Sequence, residues 1–431
     1  MFSKKYLKSG IGQSTSRDEK EAVNEALGGA LKDLDGDNNF AIVYTDSTLD
    51  QGKIAKEVNA IIGKHWVGMS VDKHFSSKHT YDTKTTLSVL CIKSNYLHFS
   101  AETATKVRTN PRKKAKETLI KAIKHMNGTR DLDSYVAFTK TKRGNYDDLV
   151  HENQYLIISF VSSIENVNGK VVSGREVDFL EGLLDIVGIT VPIFGAGAGS
   201  DFDTFLTEEK GNNYLFANGK VHQNAGVVVF CVSDLPFDVD VTHGYELTKD
   251  FAVVTKVDKT KHTILELNGK DPVAEYYRLL KISKKEYLKD PYKYSLTTPF
   301  GVVDLNGKTY VKEALPNEDG VTFHSTVKTN ENTVVNIMKL NRNKLHNNFP
   351  KLLEETNKKR KPGLVLVSSC STRRYLMGDK VAEVEKRSKK ATKKLPYFGA
   401  FVFSELGSTR TTRPMVHGES ITTLTFYDRL Y

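Results

Sequence analysis

Cysteine is scarce in this chain: Cys91, Cys231 and Cys370 are the only three in 431 residues. They lie far apart, each in or beside an apolar run. An odd number with no close pair argues against a disulfide framework, and the absence of any Cys-x-x-Cys argues against structural zinc. A reducing compartment fits. No stretch approaches the roughly 18 apolar residues needed to span a bilayer, and no apolar leader segment follows Met1-Phe2-Ser3-Lys4-Lys5. The expectation is a cytoplasmic protein without membrane insertion. Zinc-finger spacing, an RNA-recognition signature and a basic zipper are all lacking.

What is present suffices for a core, with 39% hydrophobic and 27% charged residues. The formal charge of +11 raises the local concentration of anions, whether nucleic acid, anionic lipid or an acidic partner. Much of it sits in Lys358-Lys359-Arg360-Lys361 and in Lys386-Arg387, Lys389-Lys390 and Lys393-Lys394. Neither run contains an aromatic residue, so each reads as a solvated linker or outer helix face. Nucleic acid contact through this basic surface is expected to be weak, salt-sensitive and sequence-independent.

The order of elements repeats. Ser14-Thr15-Ser16 offers a hydroxyl N-cap for a helix over Arg17 to Leu34, where Ala22, Ala26, Ala30 and Leu34 recur. Then come a strand at 40–44, a helix at 52–62, and strands at 65–71 and 85–92. A second round has a helix from Pro111 to about Met126, strands at 135–139 and 155–161, a helix at 174–187, a strand at 190–194 ending in glycines, and an apolar strand at 226–233. A third has a strand at 363–369, a helix at 379–394, and strands at 397–403 and 420–427. Between them, roughly 245–345 alternates differently and reads as mixed α+β. The turns Asn218-Gly219, Asn268-Gly269 and Asn306-Gly307 signal hairpins. The expected fold is α/β, with repeated strand-helix-strand-strand units in mixed sheets flanked by helices. Its expected parts are 1–244, divided near 105, and 245–431.

These residues resemble the FIST domain proteins, a sensory family whose N-terminal and C-terminal portions occur together in bacterial, archaeal and F-box proteins. The N-terminal likeness lies in Gly68-Met69-Ser70, Val191 to Gly199, Phe216-Ala217-Asn218-Gly219-Lys220, Thr242-His243-Gly244 and Leu267-Asn268-Gly269-Lys270. The C-terminal likeness lies in Ser369-Cys370-Ser371-Thr372-Arg373-Arg374 and Gly399 to Gly407, with Ser404 where relatives carry glycine. The resemblance implies signal input: a small ligand, an amino acid or similar metabolite, whose state is passed to a partner. No output segment is recognisable, so a separate signalling protein is expected. Some bacterial members contain haem, but no histidine here can be matched to a haem ligand, and no cofactor is expected.

Candidate site residues follow from position and chemistry. Cys370, Arg373 and Arg374 follow an apolar strand, and ligands in open α/β sheets gather at the carboxyl ends of strands. The guanidinium groups suit a carboxylate or phosphate and are expected to lower the thiol pKa; the alternative is a buried cysteine and a surface ion pair. Glu405, at the end of the next strand, suits an amine, or an interdomain salt bridge. Gly195 and Gly197 form a Gly-x-Gly-x-Gly turn with no helix expected after it, so close backbone approach is favoured over a nucleotide. His243 is placed at a strand end and His417 in a polar turn. His74 and His79, with Asp72 and Asp82, read as loop residues rather than metal ligands. The leading expectation is a noncatalytic sensor. The alternatives are a cysteine-dependent enzyme, with Cys370 as nucleophile and His243 or His417 as base within about 4 Å, and a protein-interaction scaffold.

Overall fold

The computed structural model describes residues 5–129, 154–167, 170–207, 211–317, 319–325, 328–409 and 412–430. The alanine periodicity forms a helix over Glu19–Lys32 that buries Ala22, Val23, Ala26, Leu27 and Ala30. Its cap is Asp18, whose carboxylate accepts from the Glu21 amide at 2.8 Å, not a residue of the Ser14-Thr15-Ser16 group. Ser14 instead ends a strand, Lys8–Ser14.

One wiring pattern occurs in three sheets. In the first, Phe40–Thr45 and Trp66–Ser70 lie parallel, joined through the helix Gln51–Ile62, with antiparallel Leu87–Lys93 and then Lys8–Ser14 beside them. In the second, parallel Tyr155–Ser162 and Ile193–Ala198 flank the helix Glu176–Val187 in sequence, followed outward by Ala225–Ser233 and Leu97–Thr105. In the third, parallel Pro362–Cys370 and Tyr397–Val402 are joined through the helices Ser371–Met377 and Val381–Thr392, with Ser420–Tyr427 and Phe237–His243 outside.

Each sheet is completed by a strand from another unit. Lys73–Ser76 of the first unit pairs with Tyr397–Val402, Leu215–Ala217 of the second pairs with Trp66–Ser70, and Ser404–Thr409 of the third pairs with Ile193–Ala198. The exchange is cyclic and interlocks the three units. A seven-stranded antiparallel sheet with three short helices occupies the stretch after His243 and before Arg342. It is inserted between the first strand of the third unit and that unit's helix Arg342–Lys358, so the third unit draws strands from both sides of residue 245.

One face of each of the three interlocked sheets contributes to a common interior, while the inserted sheet packs on a core of its own. Tyr44 of the first sheet stacks on Phe398 of the third, with ring centres 4.8 Å apart, and meets Phe160 of the second edge-on at 6.2 Å. Contacts of this kind add about 0.5–1.5 kcal/mol each beyond area burial. Helices cover the outer faces, as Phe349 and Val384 do on the third sheet.

Several expectations need correction. The Gly195 and Gly197 segment is not a turn: the strand Ile193–Ala198 runs through it, and a short helix, Phe202–Thr207, does follow. Gly195, Gly68 and Gly399 hold the same register position, opposite Leu406, Phe216 and Phe75 of the exchanged strands. A Cβ at Gly195 would lie 1.9 Å from the Ser159 carbonyl oxygen, so the glycine serves strand contact. His417 ends a strand, Thr412–His417, rather than lying in a turn. His74 lies in the exchanged strand Lys73–Ser76. Asn218-Gly219 does close a two-residue hairpin, and Asn268-Gly269 closes a tight turn bridged by Leu267 and Lys270 just before the helix Pro272–Leu279. The strand expected at 135–139 lies outside the described residues. Among the described residues, no helix is long and apolar enough to cross a membrane.

Candidate functional site

The strand Pro362–Cys370 passes directly into the helix Ser371–Met377. Successive residues of a helix point about 100° apart, so Arg373 and Arg374 diverge. Arg374 reaches the other two units: its Nε donates to Asp72 Oδ2 at 2.7 Å and its Nη2 to Asp203 Oδ2 at 3.1 Å. Asp72 also accepts from the Phe202 amide at 3.0 Å. Arg374 is thereby fully engaged as a clamp between units.

Arg373 points the other way and is 1% exposed. Its Nη2 donates to the Leu345 carbonyl at 3.2 Å and to Asn348 Oδ1 at 2.9 Å. Its Nε and Nη1 are buried without an acceptor. Burial pulls the guanidinium down to about 10, opposed by Tyr245, Glu405, Cys370 and Glu419.

Glu405 lies opposite Ala196, a residue of the common interior. Directly opposed residues share a face of the sheet, so Glu405 points inward. Its Oε2 accepts from the Ser420 hydroxyl at 2.6 Å and the Ser420 amide at 3.1 Å, while Oε1 has no donor. Burial pushes its pKa up to about 8. Glu419 is fully buried too, and burial raises it well above the carboxylate range. The Tyr245 hydroxyl donates to the Leu296 carbonyl at 2.9 Å and also faces Glu419, while neither Glu419 oxygen has a hydrogen bond of good geometry. Glu313, from the insertion, raises both acids further.

Among the described residues, no ion pair within 4 Å joins Arg373 to Glu405 or Glu419. The cluster therefore holds a guanidinium with two unused donors and two carboxyl groups with unused oxygens. Each unpaired buried group costs about 1–3 kcal/mol. Glu419 adds backbone strain, because it sits at φ +54°, a left-handed conformation that costs a non-glycine residue about 1–2 kcal/mol. Sequence reasoning missed its role; the signal was a glutamate, rather than a second glycine, in the turn Gly418-Glu419-Ser420.

Cys370 ends its strand beside this cluster, 3% exposed. The expected lowering of its pKa is corrected: burial and the charges of Glu405 and Glu313 push the thiol well above its usual value. The Cys–His pair is not assembled either. His243 Nε2 engages Thr309, at 2.9 Å from Oγ1 and 3.0 Å from the carbonyl, and its Nδ1 accepts from the Tyr245 amide at 3.2 Å. His417 Nε2 faces the Gly407 carbonyl at 3.2 Å. Burial lowers both imidazoles to about 4, so they are neutral. His74 is buried against Ser88 at 2.8 Å, and no metal-type set of side chains is found among the described residues.

A cleft of about 740 Å³ lies beside the cluster, lined by His243, Tyr245, Lys308, Lys344, Asn347 and Asn348 among others. Tyr245 and Asn348 belong to both. Gly197 lies apart from the cluster, where a Cβ would fall 2.3 Å from Ser404 Oγ and 2.9 Å from Glu176 Oε1. Ser404, the departure from the glycine of relatives, donates to that buried glutamate at 3.1 Å.

Comparison with known proteins places this geometry in a family. A stretch of 157 residues is 31% identical to an uncharacterized protein of Methanocaldococcus jannaschii, covering 33% of this chain. The match spans 29% of that relative's length. A crystal structure of a chorismatase aligns over 98% of this chain and 99% of its own, at 12% identity and a TM-score of 0.30; so loose a superposition carries no inference. The family model of the FIST N domain matches residues 39–270, and that of the FIST C domain matches 272–408. The join between the two matches falls inside the inserted sheet. With both portions present in order over most of its length, the chain belongs to the FIST domain family, whose domains are associated with sensory signal transduction.

Proposed function

We propose that this chain is a noncatalytic sensory module whose ligand is a small metabolite carrying both a carboxylate and an amine, such as an amino acid. The observation that carries the reading is the buried, unpaired complementarity of Arg373 with Glu405 and Glu419. A ligand carboxylate would take up Arg373 Nε and Nη1, a planar fork suited to it. A ligand ammonium would take up the unused oxygens of Glu405 and Glu419 and favour their ionised forms. Arg373, Glu405 and Glu419 do not themselves line the adjoining cleft, so a ligand would enter by displacing Tyr245 or Asn348, which border both. The insertion contributes Tyr245 and Glu313, so occupancy would act on it and offer a route for passing a change to a separate signalling protein. A cytoplasmic setting suits three cysteines that are all unpaired and buried. The reading needs no cofactor.

An interaction-scaffold reading has one observation in its favour. Phe251, 57% exposed, and Val334, 51% exposed, are neighbours on the outer face of the inserted sheet.

Native mass spectrometry of freshly purified protein, with denaturing release of any retained molecule, tests the sensor reading. We expect a retained amine- and carboxylate-bearing metabolite that Arg373→Met loses and Arg374→Lys, which keeps the positive charge beside Asp72, retains. Equal retention by Arg373→Met removes this cluster from ligand binding. An absorption spectrum of the same sample tests for haem.

A further inference from the structure

A second cleft, of about 580 Å³, opens between the helix Glu176–Val187, the insertion strand Thr309–Lys312 and the strand Thr412–His417. Its lining holds six cations, Arg112, Lys259, Lys261, Lys312, Lys328 and Arg413, against one acid, Glu181. Two of the six are already neutralised. Arg112 pairs with Asp185 at 2.7 Å and Glu181 at 3.5 Å, and Lys328 pairs with Asp178 and with Glu181 at 3.4 Å.

Among the described residues, the remaining four have no carboxylate within 4 Å. Lys261 donates to Asn330 Oδ1 at 2.8 Å, and Lys312 donates to the Lys328 carbonyl at 2.6 Å. Lys312 is partly buried, and desolvation lowers its amine to about 8. An amine held out of water without a counterion is unfavourable unless an anion joins it. The lining also carries apolar side chains, Leu180, Leu184, Val302 and Val311 among them. A volume of this size lies in the range of small-molecule sites, about 300–1,000 Å³. Four unbalanced cations exceed what one carboxylate offsets and suit a phosphate, which carries about −1.5 to −2 at neutral pH.

We propose that this cleft binds a small phosphorylated metabolite, its phosphate held by Lys261, Lys312 and Arg413 and its organic part laid on Leu180 and Leu184. The cleft shares no lining residue with the Arg373 cluster, although His417 is the strand partner of Glu405, and its argument stands without the sensor reading.

The test is calorimetric titration of inorganic pyrophosphate into the full chain in about 0.15 M salt, where diffuse surface attraction is screened. Saturable binding at one site is expected, weakened about tenfold or more in both Lys312→Met and Lys261→Gln. Lys261 is exposed, so its variant reports on binding even if the Lys312 variant folds poorly. Absence of saturable binding at millimolar pyrophosphate overturns the proposal, as does unchanged affinity in Lys261→Gln and a folded Lys312→Met. So does a single-stranded RNA that binds more tightly than pyrophosphate and is weakened by the same substitutions, because the cleft would then belong to nucleic acid.

Discussion

Arg373 and Arg374 are adjacent in sequence and opposite in role, and the difference lies in what each guanidinium finds. Arg374 meets Asp72 and Asp203, whereas Arg373 meets carbonyl and amide oxygens and retains two free donors. Cys370 shows the same dependence on surroundings. The arginines beside it in sequence suggest an activated thiol, but in space its strongest neighbours are burial and carboxylates. A thiolate is the reactive form, so Cys370 is expected to resist chemistry. In the native protein near pH 8, iodoacetamide should modify Cys370 at least about 100-fold more slowly than in denaturant, followed by peptide mass spectrometry. Labelling of Cys370 at the rate of a free thiol would contradict the environment described here.

At the scale of elements, Gly195 and Gly68 do the same work in two sheets, each admitting a neighbouring strand's carbonyl, while Gly399 makes room for the Phe75 ring. Adding one methyl group at Gly195 meets the Ser159 backbone, which cannot withdraw without parting two strands. Gly195→Ala should destabilise the protein by about 3 kcal/mol or more, whereas Gly28→Ala, exposed within a helix and with nothing within 4 Å of the added carbon, should stabilise it by up to about 1 kcal/mol. Chemical denaturation distinguishes the two, and equal effects would refute the tight strand contact. The parallel strands and their helices were legible because continuous apolar runs and helical periodicity are local signals. The exchanged strands were not. Lys73-His74-Phe75-Ser76 reads as loop, and only Tyr397–Val402, more than three hundred residues away, makes it a strand. The helix Arg342–Lys358 was hidden by its asparagines and by Pro350, although Leu345, Phe349 and Leu353 mark its buried face. Arg373 and Glu405 could be named from strand ends. That Glu419 joins them depends on a turn conformation that no periodicity announces.

At the scale of the molecule, threefold repetition explains why one corner carries this chemistry. Since Leu406, Phe75 and Phe216 hold equivalent register positions, so do the residues preceding them, Glu405, His74 and Leu215. Leu215 is core, and His74 is neutral and bonded to Ser88. Only Glu405 brings an acid, and only its corner receives Tyr245 and Glu313 from the insertion. The central claim is that this corner is left electrically incomplete for a ligand to finish. A crystal structure of the protein with its retained metabolite tests that most directly. The ligand carboxylate is expected within hydrogen-bond distance of Arg373 Nε and Nη1, with its amine on Glu405 Oε1 or Glu419. A ligand bound elsewhere, or Arg373 in direct ion pair with Glu405 and no room between them, would contradict the account.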